Sequence, residues 1–194
     1  MQSFRKFLPW IIIGVLVLWG IGSYNGLVGK EQNANEAWAN VESAYQRRMD
    51  LIPNLVNTVK GYANFEQETL TRVTEARASA TQVRVDPTNL TPEKLQEFQQ
   101  AQAGVSSALG RLLAIAENYP DLKANQNFLD LQAQLEGTEN RINVARNRFN
   151  ETVRDYNGSV KRFPGNLIAG ITGFQAKAFF EAQEGAEKAP EVKF

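Results

Sequence analysis

Apolar side chains recur every three or four residues along three long stretches of the chain, the spacing that places them on one face of an α-helix. The first stretch covers residues 30 to 80. Its Pro53 predicts a kink or a short break, followed by a restart through Asn54. A helix of this length cannot bury an apolar face alone, so other parts of the chain must cover it. The apolar positions are Trp38, Val41, Tyr45, Ile52, Leu55, Val59, Tyr62, Leu70 and Val73.

Two further helices are predicted after the loop at residues 81 to 91. The second begins at Thr91-Pro92-Glu93, which supplies an N-cap hydroxyl, a proline at the first helical position and an acid at the positive end of the dipole. Pro120 ends it. The third is predicted from residue 121 to residue 162. Their inward positions are Leu95, Phe98, Gln102, Val105, Leu109, Leu112, Ala116 and Tyr119, then Phe128, Leu131, Leu135, Thr138, Ile142, Ala145, Phe149, Thr152 and Tyr156.

Three long helical patterns with short links, and no long apolar run of period two, predict an all-α protein with an antiparallel up-and-down bundle. After Pro164 the chain becomes apolar again. We favour a short helix or clasp that closes one end of the bundle, and the alternative is a lipid-facing surface. The side chains concerned are Leu167, Ile168, Ile171, Phe174, Phe179 and Phe180.

Residues 7–29 contain no charged side chain, and a helix of this length crosses about 30 Å of hydrocarbon. We therefore predict a transmembrane anchor that contacts membrane lipid. A cleavable signal peptide is the alternative, but the uncharged run continues beyond the length that such a peptide needs. The predicted organisation is an N-terminal tail and anchor at 1–29, a bundle at 30–183 and a loosely held tail at 184–194.

The charges beside the anchor predict its orientation. Arg5 and Lys6 precede it, whereas Lys30 is followed by Glu31 and Glu36. Because positive charge is retained on the cytoplasmic side, we expect a cytoplasmic N-terminus and a bundle on the far side of the membrane.

The composition excludes much familiar chemistry. The chain has no Cys and no His, so it cannot form disulfides, Cys/His zinc sites, thiol nucleophiles or His-dependent acid-base pairs. Its 21 basic and 21 acidic residues balance, which predicts no nucleic-acid partner. No spacing indicates a catalytic site, a cofactor or a metal site. Glu66, Glu68 and Glu75 lack the histidines of a di-iron bundle, although an oxygen-only calcium or magnesium site stays open.

Polar residues cluster just before and after Pro53, at Arg47, Arg48, Asp50 and Asn54. One interpretation is a surface that docks a partner or a lipid headgroup. The interpretation we favour is structural, with one Arg and Asp50 satisfying backbone groups that the proline exposes. The third helix is also locally basic, which favours a charged outer face over a patch for an anionic ligand. Its arginines are Arg141, Arg146, Arg148 and Arg154.

Several separated motifs resemble the LemA family of bacteria over the whole chain. They are Arg47-Arg-x-Asp-Leu-Ile-Pro-Asn-Leu-Val56, Val59-Lys-Gly-Tyr62, Ala76-Arg77, Tyr156-Asn157, Phe163-Pro164, Ile168-Ala-Gly, Gly173-Phe174 and Phe179-Phe-Glu181. The resemblance implies a single-pass protein of the bacterial inner membrane, with a four-helix, bromodomain-like up-and-down bundle. Some relatives belong to the magnetosome membrane, which implies a role in organising or shaping membranes.

These observations lead to a functional hypothesis. We expect a non-enzymatic, membrane-anchored scaffold or docking module with partners among membrane or envelope proteins. We also expect homo-oligomers, because a second copy would cover any seam left open in one chain. The alternatives are an accessory or ligand-sensing module of an envelope enzyme system, or a hydrolase using Ser/Thr, Lys or carboxylates. A cavity between helices or a deep polar cleft would favour these.

Overall fold

The computed structural model describes residues 2–62 and 66–181, and it describes the side chains of this range except those of residues 2–6 and 8. The predicted tail at 184–194 lies outside the described residues. Within the described part the chain is all-α, as predicted, and has no strand. Its elements are α1 (Gln2–Lys60), α2 (Gln67–Gln82), a 3-10 turn (Pro87–Asn89), α3 (Pro92–Ala116), α4 (Pro120–Lys123), α5 (Gln126–Lys161) and α6 (Gly165–Thr172).

The up-and-down arrangement follows from the contacts between helices. α1 packs most extensively against α5, and early residues of one helix meet late residues of the other, as in Lys30–Ser159, Trp38–Phe149 and Arg48–Glu139. α3 runs parallel to α1, since Trp38 contacts Phe98 and Arg48 contacts Ser106. α2 returns beside α1 and packs on α3. The bundle therefore consists of α1, α2, α3 and α5.

The first predicted helix ends in a different place from the one expected. α1 continues through Pro53, so the alternative of a break at this proline was wrong. α1 ends at Lys60 instead, next to Gly61, which has a low helix propensity and whose amide donates to the Thr58 carbonyl at 3.3 Å. A proline inside a helix removes one hydrogen bond, and packing against neighbouring helices holds α1 together across that gap.

The third predicted helix is divided near its start. The prediction of one helix from 121 to 162 was wrong at residues 124–125, which separate α4 from α5. The Asn125 side chain accepts a hydrogen bond from the Phe128 amide at 3.1 Å and so serves as the N-cap of α5. Asparagine favours such caps over helix interiors because its side chain competes for nearby backbone groups.

The predicted seams are buried, with Tyr62, Tyr119, Ala145 and Thr152 only half-buried. They form two cores. The proximal core lies nearer the anchor and contains Ala34, Ala37, Trp38, Val41, Tyr45, Val85, Leu90, Leu95, Phe98, Ile142, Phe149, Val153 and Phe180. The distal core contains Met49, Leu51, Ile52, Leu55, Val56, Val59, Leu70, Val73, Ala80, Val105, Leu109, Leu112, Ala116, Leu122, Phe128, Leu131 and Leu135.

The N-terminal part of α1 stands apart from both cores. Only 6% of its most apolar 18-residue window is buried in the protein, which distinguishes it from the core helix of a soluble bundle. It is the one helix in the described residues that is long and apolar enough to cross a membrane. Its exposed large apolar side chains are Phe7, Trp10, Ile11, Ile12, Ile13, Val15, Leu16, Val17, Leu18, Trp19, Ile21 and Tyr24. This surface is suited to lipid.

Candidate functional site

A layer of polar side chains separates the two cores at the middle of the bundle. Arg48 is only 1% exposed, and its Nη1 donates to Ser106 Oγ at 2.8 Å and to Glu139 Oε1 at 2.7 Å. Its Nη2 donates to Gln102 Oε1 at 2.6 Å and to the Gln102 carbonyl at 3.2 Å. The guanidinium also lies 5.1 Å from the centre of the Tyr45 ring. One side chain of α1 thus binds α3 and α5 together.

The position of this layer explains what it does. Arg48 falls between Tyr45 of the proximal core and Met49 of the distal core, and Gln102 falls between Phe98 and Val105. An apolar seam can slide by a helical turn and still bury its side chains, whereas a buried guanidinium needs its acceptors opposite it. The layer therefore fixes the register of α1 against α3 and α5.

The structure separates the polar residues that the sequence grouped around Pro53. Only Arg48 enters the interior, while Arg47, Asp50 and Asn54 are exposed. Asp50 accepts a hydrogen bond from Gln46 Nε2 at 2.8 Å on the same helix. The structure thus places one of the four in the bundle interior and three on its surface.

Pro53 is accommodated by a residue from another helix. Proline has no N–H, so the carbonyl four residues earlier, that of Met49, loses its usual donor. Arg77 Nε of α2 donates to this carbonyl at 2.9 Å. An arginine does satisfy the backbone group that the proline exposes, but it is Arg77 of the next helix and not Arg47 or Arg48.

The chain after α6 lies along the bundle as a C-terminal strap, residues 173–181. Gly173, with φ of +83°, ends α6 in the left-handed conformation and directs the chain into the strap. Phe180 is buried in the proximal core, 5.8 Å from Trp38 and 5.5 Å from Phe149 between ring centres. Phe179 is 40% exposed. Among the residues predicted to form a clasp, Phe180 is the one that enters the core.

Two asparagines of α5 hold the strap by its backbone. Asn157 exchanges hydrogen bonds with the amide and carbonyl of Lys177 at 2.9 and 2.8 Å, and Asn150 does the same with Phe180 at 2.9 Å each. Seven helical residues rise about 10.5 Å, and three extended residues span about 10 Å, so the two pairs are in register. The strap is therefore held along α5 by hydrogen bonds between its backbone and the two asparagine side chains.

Lys177 attaches the strap to α1 just after the anchor. It is 6% exposed, and its Nζ donates to the Pro87 carbonyl at 2.6 Å and lies 3.3 Å from Glu31 Oε1. The same ammonium lies 5.7 Å from the centre of the Tyr156 ring. Burial raises the pKa of Tyr156 to about 12, and the Glu31 carboxylate adds to the shift. The Tyr156 phenol therefore stays neutral at physiological pH and serves as part of the core.

A groove of about 560 Å³ runs between α1 and α5 next to the anchor. Three cations and three anions line it, so it carries no net charge: Lys30, Arg148 and Arg154 with Glu36, Glu151 and Asp155. Ala37 and the neutral side chains of Asn33, Asn40 and Thr152 complete the lining. The outer face predicted for the third helix is thus mixed in charge at this point, with Arg148 and Glu151 3.3 Å apart.

Sequence reasoning missed several of these residues, although some left a signal. Gln102 was the single polar interruption in the second seam, and it lies opposite Arg48. Arg77, Asn150 and Asn157 carried no periodic signal, because each acts on the backbone of a segment distant in sequence.

Two of the three glutamates considered for a metal site have local partners. Glu66 accepts a hydrogen bond from Thr69 Oγ1, and Glu68 accepts one from Arg72 Nη2.

A sequence model of the LemA family matches residues 37–194. The Protein LemA of Metamycoplasma hominis is 26% identical over 174 residues, which cover 90% of this chain and 76% of that protein. The Magnetosome protein MamQ of Magnetospirillum gryphiswaldense is 26% identical over 181 residues, covering 84% of this chain and 66% of its own length. The Magnetosome protein MamQ 2 of Paramagnetospirillum magneticum is 25% identical with the same coverage.

Proposed function

The chain belongs to the LemA family, and on this premise we propose that it is a non-enzymatic, membrane-anchored scaffold that docks partner proteins and further copies of itself beside the bilayer. Two of its relatives are named as magnetosome proteins. By analogy with them, the scaffold takes part in organising or shaping a membrane.

One observation carries this proposal: α1 runs without interruption from the apolar anchor into both cores of the bundle. The section from Lys30 to Lys60 is about 45 Å long at 1.5 Å per residue. Because the same helix is anchor and core element, the bundle cannot rotate freely about a linker. A protein built in this way presents its surface at a fixed height and angle to the membrane, as a scaffold requires.

The interior supports a scaffold over a ligand-sensing bundle. In the described part of the chain, its two buried cations are engaged in bonds between elements, Arg48 with α3 and α5 and Lys177 with α1. Apolar seams fill the space between the helices. The groove beside the anchor opens on the surface, where a partner protein can reach it.

Self-association needs a different surface from the one that the sequence suggested. The predicted seams are covered within a single chain, so the described residues leave no open seam for a second copy. We assign the contact to the groove between α1 and α5, because it is open to the surface and carries both cations and anions, which two copies can pair across a twofold axis.

Disulfide trapping tests this contact, since the chain has no Cys of its own. The Asn40→Cys variant places a thiol in the groove, and Asn57→Cys places one on an exposed position of α1 outside it. Mild oxidation in native membranes is expected to link Asn40→Cys into dimers and leave Asn57→Cys monomeric. Asn40→Cys that stays monomeric, or dimers that form equally from both variants, would contradict a contact through the groove.

We further propose that the protein lies in the bacterial inner membrane, with a cytoplasmic N-terminus and the bundle on the extracytoplasmic side. The charges beside the anchor support this orientation. In spheroplasts, a membrane-impermeant maleimide is expected to label Asn57→Cys directly and Ser3→Cys only after the membrane is permeabilised. The reverse pattern would show that the bundle faces the cytoplasm.

A further inference from the structure

The two most exposed large apolar side chains of the described chain lie in α6 and in the turn before it. Among large apolar side chains, Ile171 is 83% exposed and Phe163 79%, more than any described side chain of the anchor, and Leu167 is 52% exposed. Leu167 and Ile171 are four residues apart, so they lie on the same side of α6, and Phe163 lies in the turn just before the helix. A patch of this kind on a protein surface marks a contact with a partner or with lipid.

A neighbouring side of α6 packs against the anchor. Ile168 Cδ1 lies 3.9 Å from the place where Gly20 would carry a Cβ, an ordinary van der Waals distance, so the Ile168 side chain lies against α1 at Gly20. The Phe174 and Tyr24 rings are 5.7 Å apart between centres. Ala169 is 2% exposed. α6 is therefore held alongside residues 20–24 of α1.

This contact sets the depth of α6 relative to the bilayer. The uncharged run of α1 ends at Gly29. At 1.5 Å per residue, Tyr24 lies about 8 Å and Gly20 about 14 Å inside that end. An element packed on these residues lies at the level of the lipid and not in the water above it.

We propose that α6 is a second lipid-contacting element, lying in the outer boundary of the bilayer with Phe163, Leu167 and Ile171 among the acyl chains. Its composition fits that place. Residues 163–174 contain no charged side chain, whereas Lys161 and Arg162 come directly before them, where cations can meet lipid phosphates. The bundle is thus attached to the membrane at the end of α5 as well as through α1.

The sequence had left two alternatives for the segment after Pro164, a clasp that closes the bundle and a lipid-facing surface. The geometry gives these roles to two different parts of the segment. The strap closes the bundle through Phe180, while α6 directs its free side away from the protein. Lipid is the occupant we commit to, because the patch is continuous with the apolar surface of the anchor on which α6 lies. The inference rests on the membrane anchoring that is part of the proposed function.

Fluorescent labels at single cysteines measure the depth directly. Full-length variants Ile171→Cys, Val15→Cys and Val144→Cys, each labelled with the environment-sensitive dye NBD, are reconstituted in vesicles of phosphatidylcholine and phosphatidylglycerol. Val15 reports the anchor, and Val144 is an exposed apolar residue of α5 far from it. The Ile171 label is expected to emit at shorter wavelength than the Val144 label, and doxyl-labelled lipids are expected to quench it several-fold more strongly.

Each other outcome has a defined meaning. An Ile171 label that resembles the Val144 label, while the Val15 label is quenched, would overturn the inference and leave the anchor intact. An Ile171 label that is shielded from water but not quenched by doxyl lipids would assign the patch to a second copy and also overturn it. A Val15 label that stays in water would overturn the anchoring itself and the inference with it.

Discussion

The Arg48→Ala variant is expected to lose about 2 to 5 kcal/mol of unfolding free energy, because it leaves a cavity and a buried acceptor without its donor. The substitution removes the donor to Gln102 Oε1 and the cation that pairs with Glu139. It also leaves a cavity where the guanidinium lies beside Tyr45. Urea unfolding of the full chain in detergent micelles, followed by circular dichroism, measures the loss.

The neighbouring arginine provides a matched control. Arg47 is exposed, so Arg47→Ala is expected to change stability by no more than about 0.5 kcal/mol. An equal effect of the two substitutions would contradict the structural role of Arg48. The double variant Arg48→Met, Gln102→Leu is expected to recover part of the stability lost in Arg48→Met alone, because it leaves no buried acceptor without a donor.

The Arg77→Leu variant is expected to lose about 1 to 3 kcal/mol, the cost of leaving a buried acceptor without its hydrogen bond. The acceptor is the Met49 carbonyl, which Pro53 deprives of an amide donor and Arg77 Nε supplies from α2. The leucine keeps most of the apolar stem, so the loss reports mainly the hydrogen bond. The same urea titration in micelles measures it.

A double-mutant cycle with Pro53→Ala isolates that bond. Alanine at position 53 restores an amide N–H that can donate to the Met49 carbonyl within α1. Arg77→Leu is therefore expected to cost clearly less in the Pro53→Ala background than in the natural sequence. An unchanged cost would show that Arg77 stabilises the protein through other contacts.

Pro53 and Arg77 also show how much of the structure around a proline can be predicted from sequence. The missing N–H at Pro53 is visible in the sequence, and it led to the alternative of a break in the helix. The compensation comes from Arg77, 28 residues away from Met49 on another helix. No local rule connects these positions, so the continuity of α1 through Pro53 depends on the packing of α2 beside it.

The polar residues around Pro53 show the same limit of sequence-based prediction for the candidate site. The sequence singled out Arg47, Arg48, Asp50 and Asn54 as a group, but consecutive residues of a helix point in different directions. Arg48 follows Tyr45 by three residues and shares its inward face, whereas Arg47 does not. The periodicity could have separated them. The partners of Arg48 on α3 and α5 could not be found in this way.

The sequence by itself determined the all-α class, most inward positions, the apolar N-terminal segment and the family, because each is encoded in spacing and composition within one stretch of chain. It did not determine where the first and third predicted helices are interrupted. The tertiary structure decided which polar groups bond one another, where the apolar side of α6 points and how the strap closes the bundle. These features join residues far apart in sequence, such as Arg48 with Glu139 and Tyr24 with Phe174. Their energies depend on burial and on distances between helices, which exist only once the chain has folded.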